Sequence, residues 1–184
     1  MQRPRILYYC QSLVGIGHLT CSLRIAEALL PDTDVDFIQG GLDVPTSLVH
    51  AHYRNLKLPT LLHDRESGGF VDPDEGRETD AVWAERATAI AGFLRHPYDA
   101  VVVEFYPFGR RRFKPEIRSL LDAVHAASGD VPVFTSVREV LVPSSDEKEQ
   151  RMLQTVRKHI HTVFVRGDPT VMRFDETFRR AGEL

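Results

Sequence analysis

The chain has 184 residues, of which 42% are hydrophobic and 27% are charged, and its formal net charge is −3. These values are typical of one soluble globular domain, and they argue against a disordered chain, a collagen-like sequence or a coiled coil. The negative charge gives no global electrostatic reason to expect nucleic-acid binding. The longest apolar runs fall far short of the roughly 20 residues that a transmembrane helix needs. Residues 1–5 have the basic start of a signal peptide, but no apolar core of sufficient length follows, so we expect a soluble cytoplasmic protein.

The first 41 residues follow the pattern of a β–α–β unit. Residues 6–10 form an apolar run of strand formers, and a glycine-bearing turn follows at 11–18. Residues 35–38 predict a second strand, which Gly40 and Gly41 close. Between the strands, apolar residues recur at helical spacing and predict a helix with the buried face Leu19, Leu23, Ala26 and Leu30.

The alternation of strands and helices continues along the chain. A third strand is predicted at 56–58, a long polar loop at 60–76, and further strands at 98–103, 131–137 and 162–165. Residues 144–147 have capping-box spacing and predict the start of a helix. The expected buried faces of the second, third and fourth helices are Trp83, Ala87, Ile90 and Leu94; Phe113, Ile117, Leu120, Leu121 and Val124; and Met152, Val156 and Ile160.

This order of elements predicts an α/β fold, a Rossmann-like three-layer domain with a mostly parallel sheet. We assign residues 1–168 to this domain. Residues 169–184 are interpreted as a C-terminal tail or as the start of a connection to another domain.

In an open α/β sheet, ligands bind beyond the carboxyl ends of the strands, which directs attention to the loop after the first strand. Gly15 and Gly17 would let a ligand approach the backbone, and the helix that follows favours an anion at its N-terminus. His18, at the start of that helix, suits a general base, or alternatively a capping or packing histidine. Position 20 is Thr20, so a G-x-G-x-x-G pattern is not completed and a dinucleotide site is disfavoured.

The loop after the Val-rich strand combines a carboxylate, Glu104, with four aromatic and four basic residues at 105–114. Glu104 could orient a hydroxyl group, and the arginines could hold phosphate, although a solvated basic helix start is an equally ordinary explanation. Arg138, with Glu139, follows the next strand, and the segment 166–168 follows the last one. Each is interpreted either as a site or as a local ion pair or turn.

The remaining cysteines and histidines give little support for a metal site. The histidines at 50, 52, 159 and 161 are spaced two apart and lack cysteine partners at zinc-site spacing. Cys10 and Cys21 are too far apart for a C-x-x-C motif, and we expect both to be core or near-core thiols in a reducing compartment.

Several segments together resemble the N-terminal half of a GT-B glycosyltransferase, nearest to bacterial predicted glycosyltransferases of the MurG type, family 28. The segments are 5–10, 15–20 and 22–26, then 104–110, 136–139 and 165–169, and the resemblance extends from about residue 5 to residue 178. Enzymes of that fold have an N-terminal domain that mainly binds the acceptor and a C-terminal domain that mainly binds the nucleotide-sugar donor. The whole donor domain is absent from these 184 residues.

The resemblance implies that His18 is the base, with Gly15, Gly17 and Thr20 beside the donor diphosphate and with Glu104 and Arg138 shaping the acceptor site. It implies no metal and no cofactor other than the nucleotide sugar as co-substrate. We therefore expect the acceptor-binding half of a glycosyltransferase, dependent on a donor domain or a partner chain, or active as a homodimer. The alternatives are a non-catalytic binding module for a nucleotide or phosphorylated ligand, and a partner subunit.

Overall fold

The structure is a computed structural model that describes residues 3–13, 15–42, 48–64, 68–73 and 76–184. Short 3-10 turns lie at Arg111–Phe113, Phe174–Glu176 and Ala181–Glu183. The strands and helices, in chain order, are β1 (Arg5–Gln11), α1 (Gly17–Leu29), β2 (Asp34–Gly40), β3 (Tyr53–Lys57), β4 (Leu62–His63), β5 (Phe70–Val71), α2 (Thr79–Phe93), β6 (Ala100–Glu104), α3 (Lys114–Ser128), β7 (Val133–Arg138), α4 (Asp146–His159) and β8 (Thr162–Arg166).

Six strands form one parallel sheet in the order β3-β2-β1-β6-β7-β8, and β4 pairs with β5 in a separate antiparallel hairpin. From β1 the chain proceeds outward through β2 and β3, and it then returns to place β6 on the other side of β1. Helices flank the sheet, as a Rossmann-like three-layer domain requires. The predicted α/β fold class is confirmed.

The central strand β1 is buried on both faces, which explains its continuous apolar run. Successive side chains of a strand point to opposite faces of the sheet. Leu7 and Tyr9 accordingly join the larger core cluster with residues of α2, α3 and α4, whereas Tyr8 and Cys10 join a smaller cluster with α1. The two clusters are the layers on either side of the sheet.

A buried polar network lies at the end of β1 within the larger core. Arg86, from the middle of α2, donates two hydrogen bonds of 2.8 Å to the Glu116 carboxylate and one of 2.8 Å to the Gln11 side chain. It also donates a hydrogen bond of 2.7 Å to the Pro59 carbonyl. The Tyr9 hydroxyl donates to Glu116 at 2.5 Å. Burial acts to lower the pKa of Arg86, but the hydrogen bonds and charge interactions with Glu116 and Tyr9 together outweigh burial and raise it.

The predicted buried face of α2 is confirmed at Ile90 but is wrong by one position at Trp83 and Ala87, and Leu94 is half-buried. Val82, Arg86 and Ile90 are buried, whereas Trp83 is half-buried and Ala87 is exposed. The apolar pattern counted the arginine as solvent-facing, but its pairing with Glu116 turns it inward. Trp83 and Ala87 instead line an open apolar groove of about 640 Å³ between α2 and α3.

Three smaller expectations also need correction. The third strand begins at Tyr53 rather than 56, and the loop predicted at 60–76 contains the β4–β5 hairpin in its described part. Residues 65–67, 74 and 75 of that predicted loop lie outside the described residues. The helix α4 begins one residue later than the capping-box spacing assumed, so Ser145 is its N-cap and its side chain makes no capping hydrogen bond.

The predicted faces of the first and third helices agree with the structure, whereas on the fourth Val156 and Ile160 are buried but Met152 is only half-buried. All five apolar residues expected on the third helix are buried, and so are the four expected on the first. Among the described residues, no helix is both long enough and apolar enough to cross a membrane.

Candidate functional site

The order of the strands creates a crevice at the carboxyl end of the sheet. The connections that leave β1 and β6 run in opposite directions although the two strands are neighbours. Ligands of open α/β sheets bind at such topological switch points. His18, in the first turn of α1, and Glu104, the last residue of β6, both lie there.

His18 and Glu104 form a hydrogen-bonded pair. The Nδ1 atom of His18 is 2.7 Å from Oε1 of Glu104, and the Glu104 side chain is fully buried, whereas that of His18 is 18% exposed. A carboxylate only accepts hydrogen bonds, so the shared hydrogen belongs to Nδ1. The lone pair of the neutral imidazole is then on Nε2, which makes no hydrogen bond within the described part of the chain. The structure brings together two residues that the sequence singled out separately.

Arg166, at the end of β8, contacts the same carboxylate. One of its guanidinium nitrogens donates to Oε1 of Glu104 at 2.8 Å, reaching across β7. The sequence placed residue 166 in a strand-end segment that it interpreted either as a site or as a local ion pair or turn. Only the strand order, which places β8 two positions from β6, reveals this contact. Glu104 therefore lies between an imidazole and a guanidinium, and its other oxygen, Oε2, is buried without a hydrogen-bond partner among the described residues.

Phe105 forms an aromatic platform beside this pair. Its backbone has a φ of 64°, a left-handed conformation that is rare for a bulky residue and that strains the backbone. Its ring lies 4.8 Å from the His18 ring, and the guanidinium groups of Arg110 and Arg138 lie 5.7 and 5.8 Å from the ring centre. Gly109 leaves room for this ring, because a Cβ there would collide with it. The predicted residue Arg138 therefore borders the site.

Arg110 is the more enclosed of the two guanidinium groups on this platform. Its own backbone is left-handed, with a φ of 60°, and burial lowers the pKa of its side chain from the ordinary value. The sequence assigned Arg110 only to a basic segment. Its contact with Phe105 follows from the tight turn of residues 105–109, in which the Gly109 amide donates to the Phe105 carbonyl at 2.6 Å.

The carboxyl edge of the sheet carries several buried polar atoms that lack partners. Buried groups of this kind are nearly always hydrogen-bonded in folded proteins, so a cluster of them marks a place that can receive a polar ligand or water. Within the described residues, those at this edge are Ser12 Oγ, Glu104 Oε2, Arg110 Nε, Ser136 Oγ and Arg166 Nε.

Within the predicted glycine turn, residues 15–17 are exposed, whereas Gln11 and Ser12 are buried and residue 14 lies outside the described residues. A Cβ at Gly15 or Gly17 would meet no atom within 4 Å, so packing does not require glycine at either position, although Gly15 has a φ of +68°. The Thr20 hydroxyl bonds to the Ile16 carbonyl of its own helix at 3.0 Å rather than turning toward Glu104. The helix N-cap, Ile16, provides no side-chain cap for the first amides of α1.

The two cysteines, which the sequence predicted to be core or near-core thiols, differ in the structure. Cys10 is buried, as expected, but the expectation for Cys21 is wrong, because it is exposed on α1. In the described ranges of the chain, no group of three His, Cys, Asp or Glu side chains is arranged to hold a metal ion.

Glu104 therefore holds His18 through Nδ1, beside an aromatic ring that two guanidinium groups also approach. This arrangement suits the removal of a proton from a bound hydroxyl group near an anionic ligand. Searches against protein-family models, curated proteins and solved structures find no match to this chain.

Proposed function

We propose that this chain is the acceptor-binding half of a nucleotide-sugar-dependent glycosyltransferase of the GT-B type. The observation that supports the proposal best is the His18–Glu104 pair at the topological switch point. Glu104 holds Nδ1 of His18, which leaves Nε2 ready to take a proton from an acceptor hydroxyl. The acceptor oxygen would then attack the anomeric carbon, and the nucleoside diphosphate would leave.

The surrounding residues fit this assignment. The uncapped start of α1, near Gly15 and Gly17, would face the donor diphosphate, together with Arg110. Phe105 would support the sugar ring of the acceptor, and Arg138 would border it. The donor itself would be held largely by a second domain or a partner chain. Free thiols at Cys10 and Cys21 agree with a cytoplasmic location.

The first test measures the melting temperature of the chain against saccharide acceptors, nucleoside diphosphates and nucleotide sugars. A saccharide acceptor at 100 times its dissociation constant is expected to stabilise the chain by about 2.7 kcal/mol, which raises the melting temperature by a few degrees. The bound acceptor should also protect His18, but not His52, from acylation by diethyl pyrocarbonate. An acceptor panel that neither stabilises the chain nor protects His18 would contradict the proposal.

The second test is a transfer assay on the enzyme completed by its donor-binding domain. His18→Ala is expected to lower the transfer rate by a factor of about 100 to 10,000, the usual contribution of a general base. His52→Ala is the matched control, because the Nδ1 atom of His52 lies 2.8 Å from a carboxylate oxygen of Asp34, away from the crevice. Full activity of the His18 variant would refute the role of His18.

A non-catalytic nucleotide-binding or phosphate-binding module is a second candidate, favoured by the open glycine turn and the uncapped α1. It predicts that nucleoside diphosphates alone raise the melting temperature in a base-specific manner, and that the His18 variant retains this response. The two candidates therefore differ in which ligand stabilises the chain and in whether His18 matters.

A further inference from the structure

A second cleft, separate from the His18 crevice, lies between the start of α3 and the outer face of α4. Its volume is about 670 Å³. One side carries Arg111, Arg112, Lys114 and Arg118, and the other carries Lys148, Arg151 and Lys158. The residues that line it include no carboxylate, although the chain as a whole has a net charge of −3.

These seven basic side chains stand out because their charges are not compensated. Within the described ranges, none of them forms an ion pair with an Asp or Glu. Most arginines elsewhere in the described ranges are paired, as Arg86 is with Glu116, Arg166 with Glu104 and Arg180 with Asp146. Like charges held close together repel each other, so an arrangement without counter-charges on the protein is complete only when an anion supplies them.

The base of the cleft provides an independent indication of a ligand. Tyr106 lines the cleft, is only 1% exposed, and has a buried hydroxyl without a well-formed hydrogen bond among the described residues. Arg118 lies beside it, and its Nε atom is likewise buried without a partner. A hydroxyl and a guanidinium N–H that both lack acceptors are suited to an oxyanion.

We propose that this cleft binds a small ligand that carries several phosphate groups, such as a polyphosphate or a multiply phosphorylated metabolite. Guanidinium and ammonium groups on two elements surround the bound oxyanions from both sides, which suits a compact ligand better than a flat membrane or a nucleic-acid duplex. The volume of about 670 Å³ lies in the range typical of small-molecule sites. The proposal does not depend on the glycosyltransferase assignment.

The test is isothermal titration calorimetry of the full chain with inorganic tripolyphosphate at low ionic strength. We expect saturable binding near one ligand per chain, weakened by added salt. The double variant Lys148→Gln/Arg151→Gln removes two exposed charges on α4, and it should weaken binding by about tenfold or more, at about 0.7 kcal/mol per lost ionic contact. Arg95→Gln is the control for the loss of a positive charge outside the cleft, because Arg95 is exposed and does not line the cleft, and it should bind as the parent chain does. The single variant Lys148→Gln, which removes the same charge as Arg95→Gln, should weaken binding.

Three further measurements distinguish a polyphosphate ligand in this cleft from binding at the His18 crevice, to a membrane surface or to RNA. His18→Gln should leave tripolyphosphate binding unchanged, which would separate the cleft from the crevice. The same variants are compared in sedimentation with vesicles containing phosphatidylglycerol and in gel shift with RNA. The proposal is overturned if tripolyphosphate fails to bind, if the double variant binds it as well as Arg95→Gln does, or if only vesicles or RNA respond to the α4 substitutions.

Discussion

Cys10 and Cys21 show how position in an element decides the chemistry of the same side chain. Cys10 lies in the fully buried strand β1, and burial raises the pKa of its thiol from 9.0 to about 12. Cys21 lies on the exposed face of α1. The spacing of the two cysteines indicated two similar thiols, whereas the buried face predicted for α1 already leaves Cys21 on the opposite side of that helix.

Because the Cys10 thiol is buried, we predict that it lowers the free energy of unfolding at alkaline pH. Above pH 9 the unfolded chain releases the Cys10 proton while the folded chain keeps it until about pH 12, so the free energy of unfolding falls as pH rises. This thiol alone lowers the free energy of unfolding by at most about 1.4 kcal/mol per pH unit. In urea unfolding between pH 8 and 11, Cys10→Ala should therefore show a shallower decline than the parent chain.

The control for this prediction is Cys21→Ala, whose decline should match that of the parent chain because the removed thiol is exposed. Parallel declines for the parent chain and for Cys10→Ala would show that the buried thiol does not contribute to the alkaline loss. The buried tyrosines contribute equally to the decline in the parent chain, Cys10→Ala and Cys21→Ala, so they do not affect the comparison.

The candidate site was predictable residue by residue but not as a set. The rule that ligands bind at the carboxyl ends of strands selected His18, Glu104 and Arg138 from the sequence. The contact between His18 and Glu104, and that of Arg166 with the same oxygen, depend on which strands are neighbours. No local pattern encodes that order, and the left-handed Phe105 gave no signal because its residue type disfavours such a backbone.

At the scale of elements, α2 shows the limit of hydrophobic periodicity. The stripe of apolar residues correctly predicted a helix, but the buried face includes an arginine whose partners come from β1 and α3. Hydrophobic periodicity treats arginine as polar, so it excludes Arg86 from the predicted buried face and assigns that face to neighbouring apolar residues. The existence of α1, α3 and α4 and of the six strands of the main sheet was predictable because apolar residues dominate their buried positions, although α3 also buries Glu116 and α4 buries Glu149. The two-residue strands β4 and β5 were not predicted.

The same network leads to a prediction for two glycines. A Cβ at Gly40 would collide with the Gln11 side-chain oxygen and would lie 3.1 Å from an Arg86 nitrogen, so Gly40→Ala should disturb the buried hydrogen bonds. We expect a loss of about 2 kcal/mol in the free energy of unfolding, typical of overpacking in a filled core. Urea unfolding monitored by circular dichroism measures it.

Gly92 provides the matched comparison, since it lies in the last turn of α2 and a Cβ there would meet nothing within 4 Å. Gly92→Ala should raise the free energy of unfolding by about 0.5 kcal/mol, because alanine loses less backbone entropy in a helix. Equal effects of the two substitutions would show that the close approach at Gly40 does not constrain the network.

At the scale of the whole molecule, the fold was more predictable than its surface. Alternating strands and helices predicted the α/β class, and six parallel strands confirm it. The distribution of charge was not predictable, because the basic cleft joins residues 111–118 with residues 148–158, and a carboxylate near in sequence need not be near in space. The net charge therefore did not predict that basic residues are concentrated in one cleft of the surface.

The one-sided placement of cations in the cleft has a practical consequence for purification. A protein of net charge −3 is ordinarily expected to pass through a cation exchanger at pH 7, but an adsorbent responds to the patch that it touches. We expect this protein to be retained on a sulfonate resin in dilute buffer and to leave at modest salt. Lys148→Gln and Arg95→Gln each remove one positive charge, so a concentrated patch in the cleft predicts that Lys148→Gln elutes ahead of Arg95→Gln. Passage of the parent chain through the column without delay would contradict a concentrated positive face, while retention would give the cleft a simple chromatographic signature.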